Sequence, residues 1–239
     1  MKSTEFINES IEDKGICKAI FLAGLPGAGK STIVSKVNDG QVQPQIINTD
    51  RTYEYLLGKN SETASAMAWE LFGPKSKLMN ASILYNAINS TRAMFVDGTS
   101  ANSGSLIRRS GLLESLGWDV AMIYVNVDYE VALERIATRV RQVDTDFVQR
   151  VYKEMEANKA FYKSKFGSNF IEVDNNSDNF NAAENKTYNT ANSFFNSTIN
   201  NPIGNKNIKT LQENNEKYLV PTVYSKDYIQ RVLSTWYTS

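Results

Sequence analysis

An apolar run, Ala19-Ile20-Phe21-Leu22-Ala23, leads directly into Gly24-Leu25-Pro26-Gly27-Ala28-Gly29-Lys30-Ser31-Thr32, and a helical pattern carrying Ile33, Val34 and Val37 follows. Strand, then G-x-x-x-x-G-K-S, then helix is a phosphate-binding P-loop in the setting that it requires. Gly24, Gly27 and Gly29 let the backbone wrap a phosphate closely, with successive N–H groups and the positive end of the next helix facing inward. Leu25, Pro26 and Ala28 complete the loop. On this pattern Lys30 would reach between the β- and γ-phosphates of ATP or another nucleoside triphosphate. Ser31 would offer its hydroxyl to the accompanying Mg²⁺, and Thr32 would lie near the α-phosphate.

Composition narrows the chemistry by what it lacks. The 239 residues include no histidine and a single cysteine, Cys17. That removes Ser-His-Asp and Cys-His nucleophilic sites, His-ligated metals, thiolate zinc sites and any intramolecular disulfide. A proton acceptor must then be Asp, Glu, Lys or Tyr. The 26 Lys and Arg residues balance 26 Asp and Glu, so no overall basic field exists for non-specific nucleic-acid binding, and phosphate recognition must be local. No apolar run is long enough to span a bilayer and the first residues hold no signal-like apolar segment, so a cytoplasmic location is expected.

Strand and helix patterns alternate along the chain. Strands are expected at 16–23, 45–48, 93–96, 120–125 and 169–173, and helices at 52–57, 61–72, 74–90, 103–116, 128–141 and 145–166. This reads as an α/β fold of right-handed crossovers on a mostly parallel five-stranded sheet with helices on both faces. Gly73-Pro74 is expected to separate the helices on either side of it. Beyond Asp174 the composition shifts to Asn, Ser, Thr and Lys, which implies a domain at 1–180 and an Asn-rich extension at 181–239. The extension is expected to be irregular as far as about Asn215. A short strand at 217–223 and an amphipathic helix at 227–237, with Ile229, Val232, Leu233 and Trp236 on its apolar face, would end the chain.

Two strand ends are acidic. Asp50, in Thr49-Asp50-Arg51, and Asp97, in Asp97-Gly98-Thr99, would both fall at the carboxyl edge of the sheet, where open α/β folds bind ligands. The plainer alternatives are a helix N-cap for Asp50 and a simple turn for Asp97-Gly98. In the functional reading Asp97 would hold a Mg²⁺-bound water or touch an acceptor, and Thr99 would donate to a phosphate or sugar. Arg135, Arg139 and Arg141 follow the fourth strand, where a lid arginine can reach a transferring phosphoryl group bidentately. Gln142 to Asp144 reads as the lid turn, and a solvated basic face is the alternative.

Taken together, several segments resemble the P-loop kinases related to zeta toxins and to the kinase domain of polynucleotide 5'-kinases, a group with many small phage-encoded members. They are Gly24 to Thr32, Asn48-Thr49-Asp50, Asp97-Gly98-Thr99, and Val125-Asn126-Val127-Asp128 leading into Leu133-Glu134-Arg135 and Arg139. The resemblance implies an ATP- and Mg²⁺-dependent kinase acting on a hydroxyl. Asp50 matches the general base of the group, and Arg139, with Arg135 or Arg141, matches its lid arginines. Arg51 and Arg108 join Asp50, Asp97 and Thr99 as candidate acceptor contacts, and Ser31 with Asp97 as candidate Mg²⁺ contacts. The group often places an arginine three positions after the basic aspartate, whereas here that position is Tyr53 and the arginine is Arg51.

Three readings compete. A zeta-toxin-like kinase for a nucleotide sugar or nucleoside derivative leads. A polynucleotide 5'-hydroxyl kinase would need a local groove built from Lys75, Lys77, Arg108 and Arg109, against the neutral net charge. A nucleotide-binding switch is disfavoured by the absence of N-K-x-D, of D-x-x-G at a switch position and of an Asp-Glu pair ending an apolar strand, and a structural protein on a retired P-loop fold by intact Lys30, Ser31 and Asp50.

Overall fold

The computed structural model describes residues 14–38, 42–58, 66–138, 143–176, 180–214 and 224–237. Its centre is β1 (Lys18–Gly24), whose seven residues are all buried because both its edges and both its faces are covered. It pairs in parallel with β3 (Met94–Val96) on one side and β4 (Asp119–Asn126) on the other. β2 (Gln45–Ile47) extends the sheet beyond β3, and β5 (Phe170–Asp174) extends it beyond β4. The order is therefore β2-β3-β1-β4-β5, all parallel. Because β2 and β3 are neighbours, the loops that leave their carboxyl ends lie side by side next to the loop that leaves β1.

The helices follow the apolar periodicity. α1 (Lys30–Asn38) leaves the P-loop, and α2 (Thr49–Leu57) leaves β2. α4 (Ser103–Ser115), α5 (Tyr129–Ala137) and α6 (Thr145–Phe166) make the later crossovers. α6 buries Val148, Val151, Met155, Tyr162 and Phe166, one stripe of a helix whose other faces are solvated. A single 3₁₀ turn (Gly167–Asn169) delays the start of β5.

Two expectations change. Gly73-Pro74 does not separate two helices: α3 (Ala66–Asn89) runs through it unbroken. Pro74 removes one donor from the helix ladder, but side chains supply others nearby: Ser76 Oγ donates to the Gly73 carbonyl (2.8 Å) and Thr52 Oγ1 to the Ser76 carbonyl (3.0 Å). Gly73 serves packing instead, since a Cβ there would lie 3.0 Å from the Trp69 indole, which packs tilted against Tyr53 with ring centres 4.8 Å apart. The expected helix positions 61–65 lie outside the described residues.

The chain beyond Asp174 is not irregular as far as Asn215. It contains α7 (Phe180–Asn196) and α8 (Pro202–Asn214), and α9 (Lys226–Trp236) follows. Asn-rich composition is a poor helix former by itself, but here the apolar residues are spaced to reach the core. Ala191, Phe195, Ile199, Ile208 and Leu211 are buried, and Phe195 meets Phe95 of β3 edge-on at 5.3 Å. α7 lies against α1, β1 and β5, and α9 against α3 and α4. α9 starts with Ser225 as N-cap, its Oγ accepting from Tyr228 N at 3.2 Å. The strand expected at 217–223 lies outside the described residues.

Two contacts fasten α7 and α8 to the amino edge of the sheet. Lys18, 1% exposed, donates to Asp119 Oδ2 (2.7 Å), Ser197 Oγ (3.0 Å) and the Thr198 carbonyl (2.7 Å). Asp119 also accepts from the backbone N–H groups of Asn200 and Asn201. Gly204 of α8 presses on the turn at Gly117 so closely that a Cβ on Gly204 would lie 2.2 Å from the Gly117 carbonyl oxygen.

Candidate active site

The P-loop spans the gap between the end of β1 at Gly24 and the start of α1 at Lys30. Gly27 (φ +87°) and Gly29 (φ +85°) occupy the left-handed region that side chains disfavour. Gly27 has a second reason to lack a side chain, because a Cβ there would lie 2.5 Å from the Ala132 carbonyl of α5. Lys30 Nζ bends back and donates to the carbonyls of Gly24 (2.7 Å) and Leu25 (2.9 Å). Its charge is thus held at the mouth of the loop, where a phosphate would sit. Asn175, just past β5, supports the loop from below. It is 1% exposed and its Nδ2 donates to the Ala28 carbonyl (2.8 Å).

Asn48 joins the two acidic strand ends. It is the N-cap of α2, with Oδ1 accepting from Arg51 N (3.0 Å), and its Nδ2 donates to Asp97 Oδ2 (2.6 Å). Consequently α2 starts at Thr49, three residues earlier than expected, and Asp50 sits in its first turn and is not its cap. Burial pushes the Asp97 carboxyl above the ordinary carboxylate range, with the Asp50 charge adding to the rise. Lys30, the Asn48 hydrogen bond and Arg51 oppose it. Lys30, Asp50, Arg51 and Asp97 are therefore electrostatic neighbours.

The loop after β3 is pinned on three sides. Gly24 N donates to the Thr99 carbonyl (3.3 Å), and Ser100, at φ +54°, donates Oγ to the Leu22 carbonyl (2.8 Å). From α6, Tyr162 OH donates to the Ser100 carbonyl and Asn158 Nδ2 to the Ala101 carbonyl (2.8 Å). Asn102 then caps α4, its Oδ1 accepting from Ser105 N (2.8 Å).

Two cavities open on this edge of the sheet. One, of about 610 Å³, is walled by the P-loop from Leu25 to Ser31 and by Glu54 and Phe147. The other, of about 270 Å³, is walled by Ser100 to Asn102, Ser105, Leu106 and Arg109. Asn48, Asp50, Asp97, Gly98 and Thr99 line both.

The expected site residues thus fall into groups. Lys30, Ser31, Asp50, Arg51, Asp97 and Thr99 all line the P-loop cleft, and Arg51 also borders a third cavity beside β2 with Tyr55 and Arg92. Thr32 is exposed on α1 and its N–H donates to the Gly29 carbonyl (3.2 Å). Arg108 lines neither of the two cavities. Its Nε donates to the Thr235 carbonyl (3.1 Å) and its Nη2 to Ser105 Oγ (3.2 Å). Arg135, in the last turn of α5, lines neither cavity, while Arg139 and Arg141 lie outside the described residues. Tyr162, whose helical spacing marks it as core, and Asn175, in an Asn-rich stretch, carry no sequence signal for the support that they give the two loops.

Ser31 and Asp97 border one cleft, a hydroxyl and a carboxylate of the kind that Mg²⁺ takes when phosphate oxygens and waters complete its octahedron. Among the described residues no group of three or more Asp, Glu or Cys side chains forms a cage that would hold a metal without a substrate. No helix among the described residues is long and apolar enough to cross a membrane.

The zeta-toxin family profile matches residues 5–199. No curated protein sequence matches the chain. Among solved structures, a protein of Chloroflexus aurantiacus described as a kinase is similar at TM-score 0.50 and 15% identity, over 72% of this chain and 97% of that one. A shikimate kinase from Bacteroides thetaiotaomicron is similar at TM-score 0.43 and 16% identity, over 74% of this chain and 97% of that one. A deoxyadenosine kinase from M. mycoides is similar at TM-score 0.45 and 20% identity, over 73% of this chain and 99% of that one. At such identities structural likeness speaks for the fold, whereas the profile match takes in the P-loop and both acidic strand ends. The chain belongs to the zeta-toxin family and is a P-loop kinase.

Proposed function

We propose that this kinase moves the γ-phosphoryl group of ATP, in a Mg²⁺-dependent reaction, to a hydroxyl of a small acceptor, a nucleotide sugar or a nucleoside derivative. One observation carries the reading: the wall made by Asn48, Asp50, Asp97, Gly98 and Thr99 is shared by the P-loop cleft and the smaller cavity. A phosphoryl group bound in the first faces a hydroxyl bound in the second across these residues. Proximity of that kind supplies much of a kinase's rate, because the transition state is loose and asks for positioning more than for covalent help.

In this reading the acceptor oxygen bonds to the γ-phosphorus as the bond from phosphorus to the β–γ bridging oxygen breaks. The hydroxyl proton passes to the Asp50 carboxylate, and ADP leaves. Lys30 neutralises charge on the β- and γ-phosphates. The resemblance to the family assigns the same task to Arg139, with Arg135 or Arg141, as lid arginines. Ser31 and Asp97 would hold Mg²⁺, which supplies charge compensation on the phosphate oxygens when bound. The oligonucleotide alternative draws less support, because Arg108 lines neither cavity and is turned toward α9 and the net charge of the chain is zero.

The test is ATP consumption with Mg²⁺ against nucleosides, nucleotide sugars and 5'-hydroxyl oligonucleotides, with Asp50→Asn as control. Turnover stimulated by a small acceptor and reduced about 100-fold or more in the variant, with ATP affinity retained, is the expected outcome for loss of a general base. Full transfer by Asp50→Asn would remove that residue as base.

A further inference from the structure

One face of α4, spaced i, i+3, i+4 and i+7 from its cap, presents Asn102, Ser105, Leu106 and Arg109 to the smaller cavity. Arg109 is unusual among them. It is partly buried, and among the described residues no carboxylate lies within ion-pair distance of it. Its one hydrogen bond there runs from Nε to the Trp236 carbonyl (3.0 Å), and its guanidinium lies 5.4 Å from the centre of the Trp236 ring. Burial disfavours its charge most, Tyr237 opposes that effect, and the neighbouring Arg108 adds to it. The adjacent Tyr237 is no counter-ion, because burial raises its phenol pKa and keeps it neutral; its hydroxyl accepts from Asn80 Nδ2 (2.8 Å).

An arginine stays charged even when desolvated, and its planar fork pairs best with an oxyanion. Here Nε is taken up by the last turn of α9, the Nη groups make no hydrogen bond among the described residues, and Arg109 lines the cavity. α9 is therefore more than a cover. With Arg108 on the Thr235 carbonyl, Arg109 on the Trp236 carbonyl and Asn80 on Tyr237, its last turn is clasped between α3 and α4. That clasp fixes the direction of the Arg109 guanidinium.

We propose that Arg109, oriented by the last turn of α9, is an oxyanion subsite of the smaller cavity. On the kinase reading above, the acceptor then carries a phosphate or carboxylate group besides the hydroxyl that reacts. Neutral nucleosides would lack the group that satisfies Arg109, and a phosphate-bearing acceptor would have it.

Titration of the full chain with inorganic phosphate, followed by calorimetry, tests this without knowledge of the acceptor, and a parallel titration with acetate tells whether the subsite prefers phosphate or carboxylate. Lys30→Ala, Arg109→Gln and Arg109→Lys are compared with the unaltered chain, with circular dichroism as the folding control. Two phosphate sites are expected, one weakened at least tenfold by Lys30→Ala alone and the other at least tenfold by Arg109→Gln, with Arg109→Lys weakening it less than Gln does because it keeps the charge but not the planar fork. If Lys30→Ala leaves both sites intact while Arg109→Gln removes one, the subsite stands and the P-loop assignment fails. Binding that Arg109→Gln leaves unchanged overturns the subsite, and so does equal weakening by the Gln and Lys variants, which would mark a structural role.

Discussion

Asn48 makes a quantitative prediction, because one amide performs two separable tasks. Its Oδ1 caps α2 through Arg51 N at 3.0 Å, and its Nδ2 donates to the partly buried Asp97 carboxylate at 2.6 Å. Loss of an N-cap costs about 1 kcal/mol, and loss of a hydrogen bond to a charged group costs about 1.5–3 kcal/mol. Ser keeps the cap and cannot reach Asp97 in the same way; Ala keeps neither. For a chain of this size each kcal/mol is worth roughly 2–4 °C in Tm. Asn48→Ser should therefore melt roughly 3–12 °C below the unaltered chain, and Asn48→Ala a further 2–4 °C lower.

The pH dependence gives the Asn48 series a second readout. The Asp97 pKa is raised in the folded chain, so its contribution to stability is present in full below the unfolded value and is lost as pH rises through the folded one. Asn48 limits that loss, and without it the folded pKa rises further. The deficit of Asn48→Ser should accordingly be greatest near neutrality and shrink as the medium is acidified into the carboxylate range. Thermal melts by circular dichroism from pH 4 to pH 8 would measure both effects. A serine variant that melts with the unaltered chain at pH 7, or whose deficit grows on acidification, would refute the assignment of Asn48 as the residue that stabilises ionised Asp97.

Two further tests address the scaffold. Gly204→Ala would place a methyl group 2.2 Å from the Gly117 carbonyl oxygen, and an overpacked contact against backbone costs about 1–3 kcal/mol, read as a lowered urea midpoint. Gly111→Ala, on α4 where nothing lies within 4 Å of the added Cβ, should instead add about 0.5–1 kcal/mol of stability and raise that midpoint; if the two variants shift alike, the packing account is wrong. Lys18→Met leaves the mostly buried Asp119 with two backbone donors but no cation, so it should cost up to about 3 kcal/mol, the lower end for a broken buried pair. Replacing both members together, as Lys18→Met with Asp119→Leu, should cost less than that single change does.

How much of this was legible in the sequence differs between the P-loop and the rest of the site. The loop is encoded locally: glycines at fixed offsets, a lysine and a serine at the start of a helix, and an apolar strand before them produce the same geometry wherever they occur. The sheet followed for a similar reason, since strands covered on both faces are written as apolar runs such as Val120 to Val125. The acidic ends of β2 and β3 could be recognised one by one. What joins them is the adjacency of β2 and β3 in the sheet, which brings Asn48 to Asp97 across 49 positions of sequence.

The residues beyond Asp174 form helices where their composition suggests irregular chain, because local propensity is all that a composition reports. Asn, Thr and Lys neither favour helix strongly nor declare a partner. α7 and α8 form because Phe195, Ile208 and Leu211 find the flank of the sheet and Lys18 finds Asp119 and the Thr198 carbonyl, contacts up to 180 residues apart. Gly73-Pro74 failed as a helix break for the same reason, since Thr52, 24 positions from Ser76, steadies the helix there. Local patterns in the chain suffice for a phosphate-binding loop that opens an α/β sheet with carboxylates at its edge. The side chains that surround that edge, above all Asn175 under the P-loop and Arg109 turned by α9, are set by the fold. Such contacts depend on distant backbone meeting in space, and no local pattern records where that happens.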